Sequence, residues 1–426
     1  MNMVSPVVSV VIPVYNGDDY FPTVLECVLN QTLDNIEIII IDDCSTDNTN
    51  AYIGDVASRD PRVLAIRNDY SLGAGASRNI GLSQARGEYI IFLDDDDIID
   101  VDMLLRLYDN AKLNDADVLV FGSEFINWNT KEVIDTPWTI RNDLLPVASI
   151  FSSCDIKKDF FHAFVWWPWD KFYNRERIIK RGLRFQEIRT SNDLLFTSTQ
   201  MLLANRIAVL PNVLIQHSIL RSGSLENTRF KSWECAFEAL SGLKQFLVSH
   251  SLYEHRKNDY INYVLSFLKW NIDTISGAAF EPLFIQSRMF ILDLNISESD
   301  VYESDLVNFL SDLISLQPVD YLLKSRTELY QKVNRLEPVL NKTLRRLNET
   351  SDSLVKSNES KANKENMIRS LNQENSLLEA SLCSEVKKNM DTEVKLSNAL
   401  NYIKSIEASK IWRGTKGLRS IRKWFL

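Results

Sequence analysis

Four consecutive carboxylates, Asp94, Asp95, Asp96 and Asp97, come directly after the apolar run EYIIFL. Contiguous like charges beside a buried strand repel and raise one another's pKa, a conflict that a hard divalent cation removes. Mg²⁺ and Mn²⁺ favour oxygen ligands, and Mg²⁺ uses one or two carboxylates together with substrate phosphates and water. In an extended segment Asp94 and Asp96 point one way and Asp95 the other. The metal pair is then Asp94 and Asp96, with Asp95 and Asp97 supporting the turn. The alternative is a solvated acidic turn.

Other candidates stand just past the ends of apolar runs. In IIIIDDCSTDNT, Asp42 and Asp43 close a strand just before a helix that Ser45, Thr46 or Asp47 would cap. A carboxylate at that position can accept the N–H of a uracil ring, which makes Asp43 a base reader. Pro13, Tyr15 and Asn16 leave VVSVVI through a loop that can present backbone groups and an aromatic ring to a nucleobase. They are also ordinary turn residues. In SLGAGASRNIGL, Gly73 and Gly75 free the backbone before a helix whose first turns carry Arg78 and Asn79. Helix N-termini bind anions, and Arg78 adds a cation suited to phosphate or carboxylate, although a plain glycine turn reads the same way. Asp193 in TSNDLLF, with Glu187 upstream, either serves a helix dipole or does chemistry. Trp166, Trp167 and Trp169 are either core or a surface on which a sugar face can stack.

The elements that must position these groups are legible from the apolar pattern. VVSVVIPVY, IEIIIID, VLAIRN, EYIIFLD and ADVLVFG have strand length and alternate with stretches long enough for helices. Near-continuous apolar strands are buried on both faces, so the βα repeat of residues 7–122 predicts a mainly parallel sheet covered by helices. Ligands of such sheets bind outside the C-terminal strand ends, where the candidates lie. Residues 123–230 are less regular and complete the site in this reading. Residues 231–321 read as amphipathic helices. From 322 to 406 the chain is polar and free of glycine, with Leu340, Leu347, Leu354, Ile368, Leu371, Leu378 and Leu382 near heptad spacing, an imperfect coiled coil. Pro338 predicts a break near its start.

A chain of 426 residues exceeds one ordinary core. The five cysteines Cys27, Cys44, Cys154, Cys235 and Cys383 form no CxxC pair, which fits neither a zinc cage nor a disulfide framework, and they read as reduced. No apolar run reaches membrane-spanning length and no signal-peptide pattern opens the chain, so a cytoplasmic protein is expected. The net charge of −9 conceals a basic end: residues 402–426 hold seven Lys and Arg against the single acid Glu407, a net +6. Trp412, Trp424 and Phe425 interleave with those bases, as in an interfacial helix on anionic lipid or a basic partner-docking helix. A basic end on an acidic protein points to an anionic surface and away from general nucleic-acid binding.

Together VSVVIPVYN, IIIIDDCSTDNT, GAGASRNIGL and ARGEYIIFLDDDD resemble, in order and spacing, the N-terminal half of family-2 glycosyltransferases of GT-A fold. The likeness is close over residues 7–122 and looser over 160–225. It implies a Rossmann-like GT-A domain over residues 1–230, with the donor half at 7–122 and the acceptor and catalytic-base half at 123–230. It implies that Asp43 contacts the base of a nucleoside diphosphate donor, that Asp94 and Asp96 form the DxD motif, and that Asp96 binds the metal, Mg²⁺ or Mn²⁺. Pro13, Tyr15, Asn16, Arg78 and Asp95 complete the donor set. Members invert configuration with a carboxylate base in a Glu-Asp pair; here the pair reads Asn192, Asp193, and the base role falls to Asp193. PWDKFYNRE resembles the segment preceding that base, with Lys171 as its basic residue. RSGSLENT is similar to a loop after the last strand, and Ser218 stands where an arginine is common. SKIWRGTKGLRSIRKWF, within residues 407–426, resembles a tail of bacterial surface-polysaccharide glycosyltransferases that carry coiled coils.

The expected reaction is transfer of a sugar, a hexose, from a UDP-sugar to a hydroxyl of a growing, lipid-linked surface glycan. Expected partners are the donor, the acceptor, a second copy through the coiled coil and the inner face of the membrane through the tail. Two rivals remain: a nucleotidyltransferase, against which IPVYNGDDY lacks a basic phosphate loop, and a non-catalytic scaffold of polysaccharide assembly.

Overall fold

The structure, a computed structural model, describes residues 5–219 and 226–356. The heptads beyond residue 356, the basic tail of residues 407–426 and most of RSGSLENT lie outside the described residues. The strands are β1 (Val8–Val14), β2 (Ile36–Asp42), β3 (Val63–Arg67), β4 (Tyr89–Phe92), β5 (Ile98–Ile99), β6 (Val118–Asn127), β7 (Val133–Asp135), β8 (Ile150–Phe151), β9 (Lys171–Asn174) and β10 (Ile207–Ile219). The helices are α1 (Phe21–Leu29), α2 (Thr49–Arg59), α3 (Ala74–Gln84), α4 (Met103–Asn114), α5 (Arg175–Arg181), α6 (Asn192–Leu202), α7 (Cys235–Ser249), α8 (Tyr253–Thr274), α9 (Phe280–Leu294), α10 (Ser304–Ser315) and α11 (Pro318–Lys356).

All strands join one sheet whose main order is β3-β2-β1-β4-β9-β6-β10-β5. The five apolar runs of the sequence are β1, β2, β3, β4 and β6. β1 and β2 are buried along their whole length, which is why they are built mainly from Val and Ile, and their polar residues Ser9, Glu37 and Asp42 are hydrogen-bonded. β3, by contrast, is an edge strand with mostly exposed side chains. Pairing is parallel from β3 through β4 and again between β6 and β10, while β9 sits antiparallel between β4 and β6. The sheet is therefore mixed, and its parallel block coincides with the βα repeat. Inserting β9 places the segment before it, Trp166 to Asp170, beside the end of β4.

Two local breaks aim the strands. β1 loses β4 as a neighbour after Val11, so Pro13, which has no N–H to give, causes no missing ladder bond on that side. In β10 the register slips on both sides of Val213, close behind Pro211. Gly122 on β6 admits this bulge, since a Cβ there would lie 2.7 Å from the Asn212 carbonyl oxygen and 2.8 Å from that of Pro211. Bulges bend a strand and re-aim the side chains beyond them. In β10 those side chains include His217.

The first compact unit continues past residue 230, through α7 and most of α8 to Ser266, and includes Ile296–Tyr302. Among the described residues the second comprises Phe267–Asn295 and residues 303–356, and Phe280, Phe284, Ile291, Phe309, Leu313 and Tyr321 are buried. The break expected at Pro338 does not occur: α11 runs through it to Lys356. Residues around Pro338 are exposed, so water can satisfy the carbonyl that proline leaves unpaired. Among the described residues no helix is long and apolar enough to cross a membrane, and Cys27, Cys44, Cys154 and Cys235 are free thiols.

Candidate active site

The exit loops of β1 and β2 form one fixed surface. Asn16 takes a left-handed conformation at φ 53°, its N–H donates to Ser45 Oγ at 2.9 Å, and its Oδ1 accepts from the Thr46 N–H at 2.8 Å. Asn16 thus staples the two loops, and the adjacent Tyr15 ring stands 48% exposed at their rim. Asp42 accepts from the Ser45 N–H and pairs with Arg67. Asp43 is buried, and its two oxygens accept from Asn68 Nδ2, Ser71 Oγ, Leu72 N, Gly73 N and, at 3.2 Å, Ser77 Oγ. Burial works to raise the Asp43 pKa, but the bonds from Leu72, Asn68, Ser71 and Gly73 outweigh it and hold the carboxyl below its ordinary value. Its acceptor positions are filled by this loop, so a hydrogen bond from Asp43 to a base requires one of these donors to yield.

α3 begins at Gly73, at φ 88°, and buries Arg78 in its second turn. The Arg78 guanidinium donates to Asp94 Oδ1 at 2.5 Å and to Asn192 Oδ1 at 2.8 Å, and lies 5.4 Å from the centre of the Phe185 ring. Its Nε is buried with no hydrogen-bond partner, leaving an unused donor on a guanidinium that holds one acid and one amide. Gly75 lets this helix approach the second half: a Cβ there would run into the Gln186 carbonyl.

Residues 94–97 turn rather than run extended. The Asp94 N–H donates to Asp97 Oδ2 at 2.7 Å, and the Asp97 N–H faces the Asp94 carbonyl at 3.4 Å. Strand alternation therefore does not decide which carboxylates converge. Asp95 Oδ2 lies 3.4 Å from the Tyr15 N–H, tying the acidic turn to the β1 loop. Asp96 is buried, and its carbonyl accepts from Ser218 Oγ at 2.6 Å. Asp97 is wholly buried, and its Oδ1 is 2.7 Å from His217 Nδ1. Burial raises the Asp97 carboxyl; it works to lower His217, but the charge and hydrogen bond of Asp97 outweigh it and raise the imidazole. Asp94, Asp97 and His217 offer ligand atoms within 4.8 Å of one another, an oxygen-rich set with one imidazole that fits a hard or borderline divalent cation. His217 had no signal in the sequence beyond its place in an apolar run.

Asp193 sits in the first turn of α6, next to the Asn192 that Arg78 holds. Burial raises the Asp193 carboxyl above its ordinary value, Arg78 pulls it down and Asp94 adds to the rise, so the three charges share one environment. Lys171 is fully buried; its Nζ donates to Asp170 Oδ1 at 2.6 Å and to the carbonyls of Val165 and Trp167 at 2.6 and 3.0 Å. Lys171 thereby fixes the tryptophan loop. Within that loop Trp166 packs on Phe160 and Phe161 as core, whereas Trp169 stacks on His217 at 4.6 Å and on Trp167 at 4.7 Å.

A mixed α/β sheet of this order, with a carboxylate–imidazole pair on the turn after β4 and an acid at the start of α6, gathers ionisable groups at its strand ends, where α/β proteins bind their ligands. A family model for "Glycosyl transferase family 2" matches residues 9–183. The chain is 30% identical over 262 residues to the putative glycosyltransferase EpsH of Bacillus subtilis, covering 60% of this chain and 73% of that protein. It is 40% identical over 116 residues to glycosyltransferase GlyG of Streptococcus pneumoniae, covering 27% of this chain but only 38% of GlyG. A crystal structure of S. aureus TarS residues 1–349 with UDP aligns at TM-score 0.45 and 21% identity, covering 67% of this chain and 88% of that one. The chain belongs to glycosyl transferase family 2.

Proposed function

We propose that the protein transfers a sugar, with inversion, from a nucleoside diphosphate donor, a UDP-sugar, to a hydroxyl of a growing surface glycan carried on a lipid. The observation that carries this reading is the Arg78 bridge: one buried guanidinium holds Asp94 of the acidic turn and Asn192 beside Asp193. In this reading the departing diphosphate and the acceptor base lie on either side of that one cation.

In this mechanism the donor base rests against the loops of Pro13, Tyr15 and Asn16, with Asp43 ordering the Asn68–Gly73 loop against it. Arg78 offers N–H groups not used by Asp94 and Asn192 to the diphosphate. Asp94 and Asp96, with Asp97 and His217, would hold Mg²⁺ or Mn²⁺, which when bound stabilises negative charge on a leaving diphosphate. Asp193 takes the proton of the acceptor hydroxyl as that oxygen attacks the anomeric carbon and the bond to the diphosphate breaks. Asp193 suits the task because burial makes it a stronger base than an exposed carboxylate.

The wider organisation is also part of the proposal. Tyr330, Val339 and Leu344 on α11 are exposed apolar residues, which supports pairing with a second copy through the coiled coil. The basic tail would hold the enzyme on the inner face of the membrane. The test is turnover of a panel of nucleotide sugars with Mn²⁺. Turnover in the wild type and its loss in Asp96→Ala and Asp193→Ala are expected; a wild type that neither binds a nucleotide sugar nor responds to the metal refutes the reading. Light scattering with and without residues 325–426, and co-sedimentation with anionic liposomes with and without residues 408–426, test the two peripheral roles.

A further inference from the structure

The chemistry above leaves four rings around His217 unexplained. His217 stacks on Trp169 with planes 10° apart, Trp169 stacks on Trp167 at 17°, and Trp138 meets Trp167 edge-on with centroids 5.6 Å apart. Phe125 braces them, at 5.6 Å from Trp167, 5.9 Å from Trp138 and 6.0 Å from His217. The rings come from remote segments. Phe125 and His217 are partners in the β6–β10 register, and the two tryptophan segments are joined by bonds from Arg141 N to the Ala163 carbonyl and from Val165 N to that of Thr139. The Thr136 hydroxyl ties the Trp138 segment to the Ser123 carbonyl of β6 at 2.6 Å. Exposure grades along the row: Trp169 is buried, Trp167 half-buried, and Trp138 38% exposed.

We propose that Trp138, braced edge-on by Trp167, is the stacking ring of the acceptor subsite, where a pyranose ring of the acceptor glycan lies at the open end of the row that leads to the His217–Asp97 pair. This rests on the transferase reading above. Large indole faces held rigid and partly open to water suit a ligand with one apolar C–H face and a polar edge, which is what a pyranose presents. The sheet order chooses the acceptor. The loops assigned to the nucleotide leave β1 and β2, on one side of β4, whereas the row stands on β6, β10 and the segment before β9, on the other. Lys171, whose Nζ holds the Trp167 carbonyl, fixes the inner end of the row.

The experiment uses the full chain with Mn²⁺, the donor selected by the nucleotide-sugar panel, and octyl glucopyranoside, galactopyranoside and N-acetylglucosaminide as probes. Binding of at least one octyl glycoside should change tryptophan fluorescence, and Trp138→Ala should raise its KM about tenfold, the scale of one aromatic contact. The donor KM should stay within about twofold, Trp138→Tyr should restore most of the loss, and Trp138→Leu should not. A Trp138→Ala enzyme with unchanged glycoside KM, a shift confined to the donor KM, or no fluorescence response to any probe in the wild type overturns the assignment. Metal-dependent hydrolysis of the donor without acceptor reports the transferase reading separately: if it occurs and the stacking effects do not, only the subsite is wrong.

Discussion

The two halves of the first unit build their parts of the site by different rules. In the N-terminal half, Asn16, Asp43 and Asp94 each lie within two residues of a strand end, and short loops fix them. In the second half the working groups arrive from afar: His217 meets Asp97 across 120 residues, and Asn192 meets Arg78 across 114. The first half repeats one local unit; the second depends on long-range packing, with a buried lysine and an aromatic row as its frame. Arg78 is the residue the halves share.

That contrast can be broken by substitution. The largest effect is expected from Asp193→Asn, which removes the proposed base and should lower kcat by about 10²–10⁴-fold; donor affinity by calorimetry should be preserved, because the loops of β1 and β2 are untouched. Lys171→Met should destabilise the second half most, by about 3–5 kcal/mol in chemical denaturation, since it leaves the buried Asp170 carboxylate without its partner. Adding Asp170→Asn should return much of that loss, and an additive double variant would show that Lys171 acts only through the carbonyls of Val165 and Trp167. His217→Ala should weaken Mn²⁺ binding by about 10–100-fold in a metal titration; an unchanged affinity would mean that the acidic turn holds metal without the second half.

The smallest expected effect sharpens the Arg78 link. A general base acts deprotonated, so activity should rise with pH through the Asp193 pKa, which burial places above the ordinary carboxylate range. Arg78 works to lower that value, so Arg78→Met should move the acid limb of the kcat/KM profile to still higher pH. A limb that stays in place or moves down would show that Arg78 and Asp193 do not share one field.

By itself the sequence determined the alternation of strands and helices, the position of the acidic turn after β4, the glycine entry to α3 and the acid opening α6. It could do so because each is a local consequence of apolar period, turn chemistry and strand length. Its local rules failed where neighbours intervene. Asp97 folds the acidic segment into a turn by capping Asp94, so alternation did not apply, and α11 passes through Pro338 because its surroundings are solvent. Only the tertiary structure decided that β9 would enter the sheet antiparallel, that Trp166 would be core while Trp169 stacks on His217, and that Asp43 would be filled by its own loop. It alone brought His217 to Asp97. The physical reason is that a residue's chemistry is set by burial and by partners the fold brings to it, from a few positions away for Trp166 to more than a hundred for His217, which the pattern of adjacent residues does not contain.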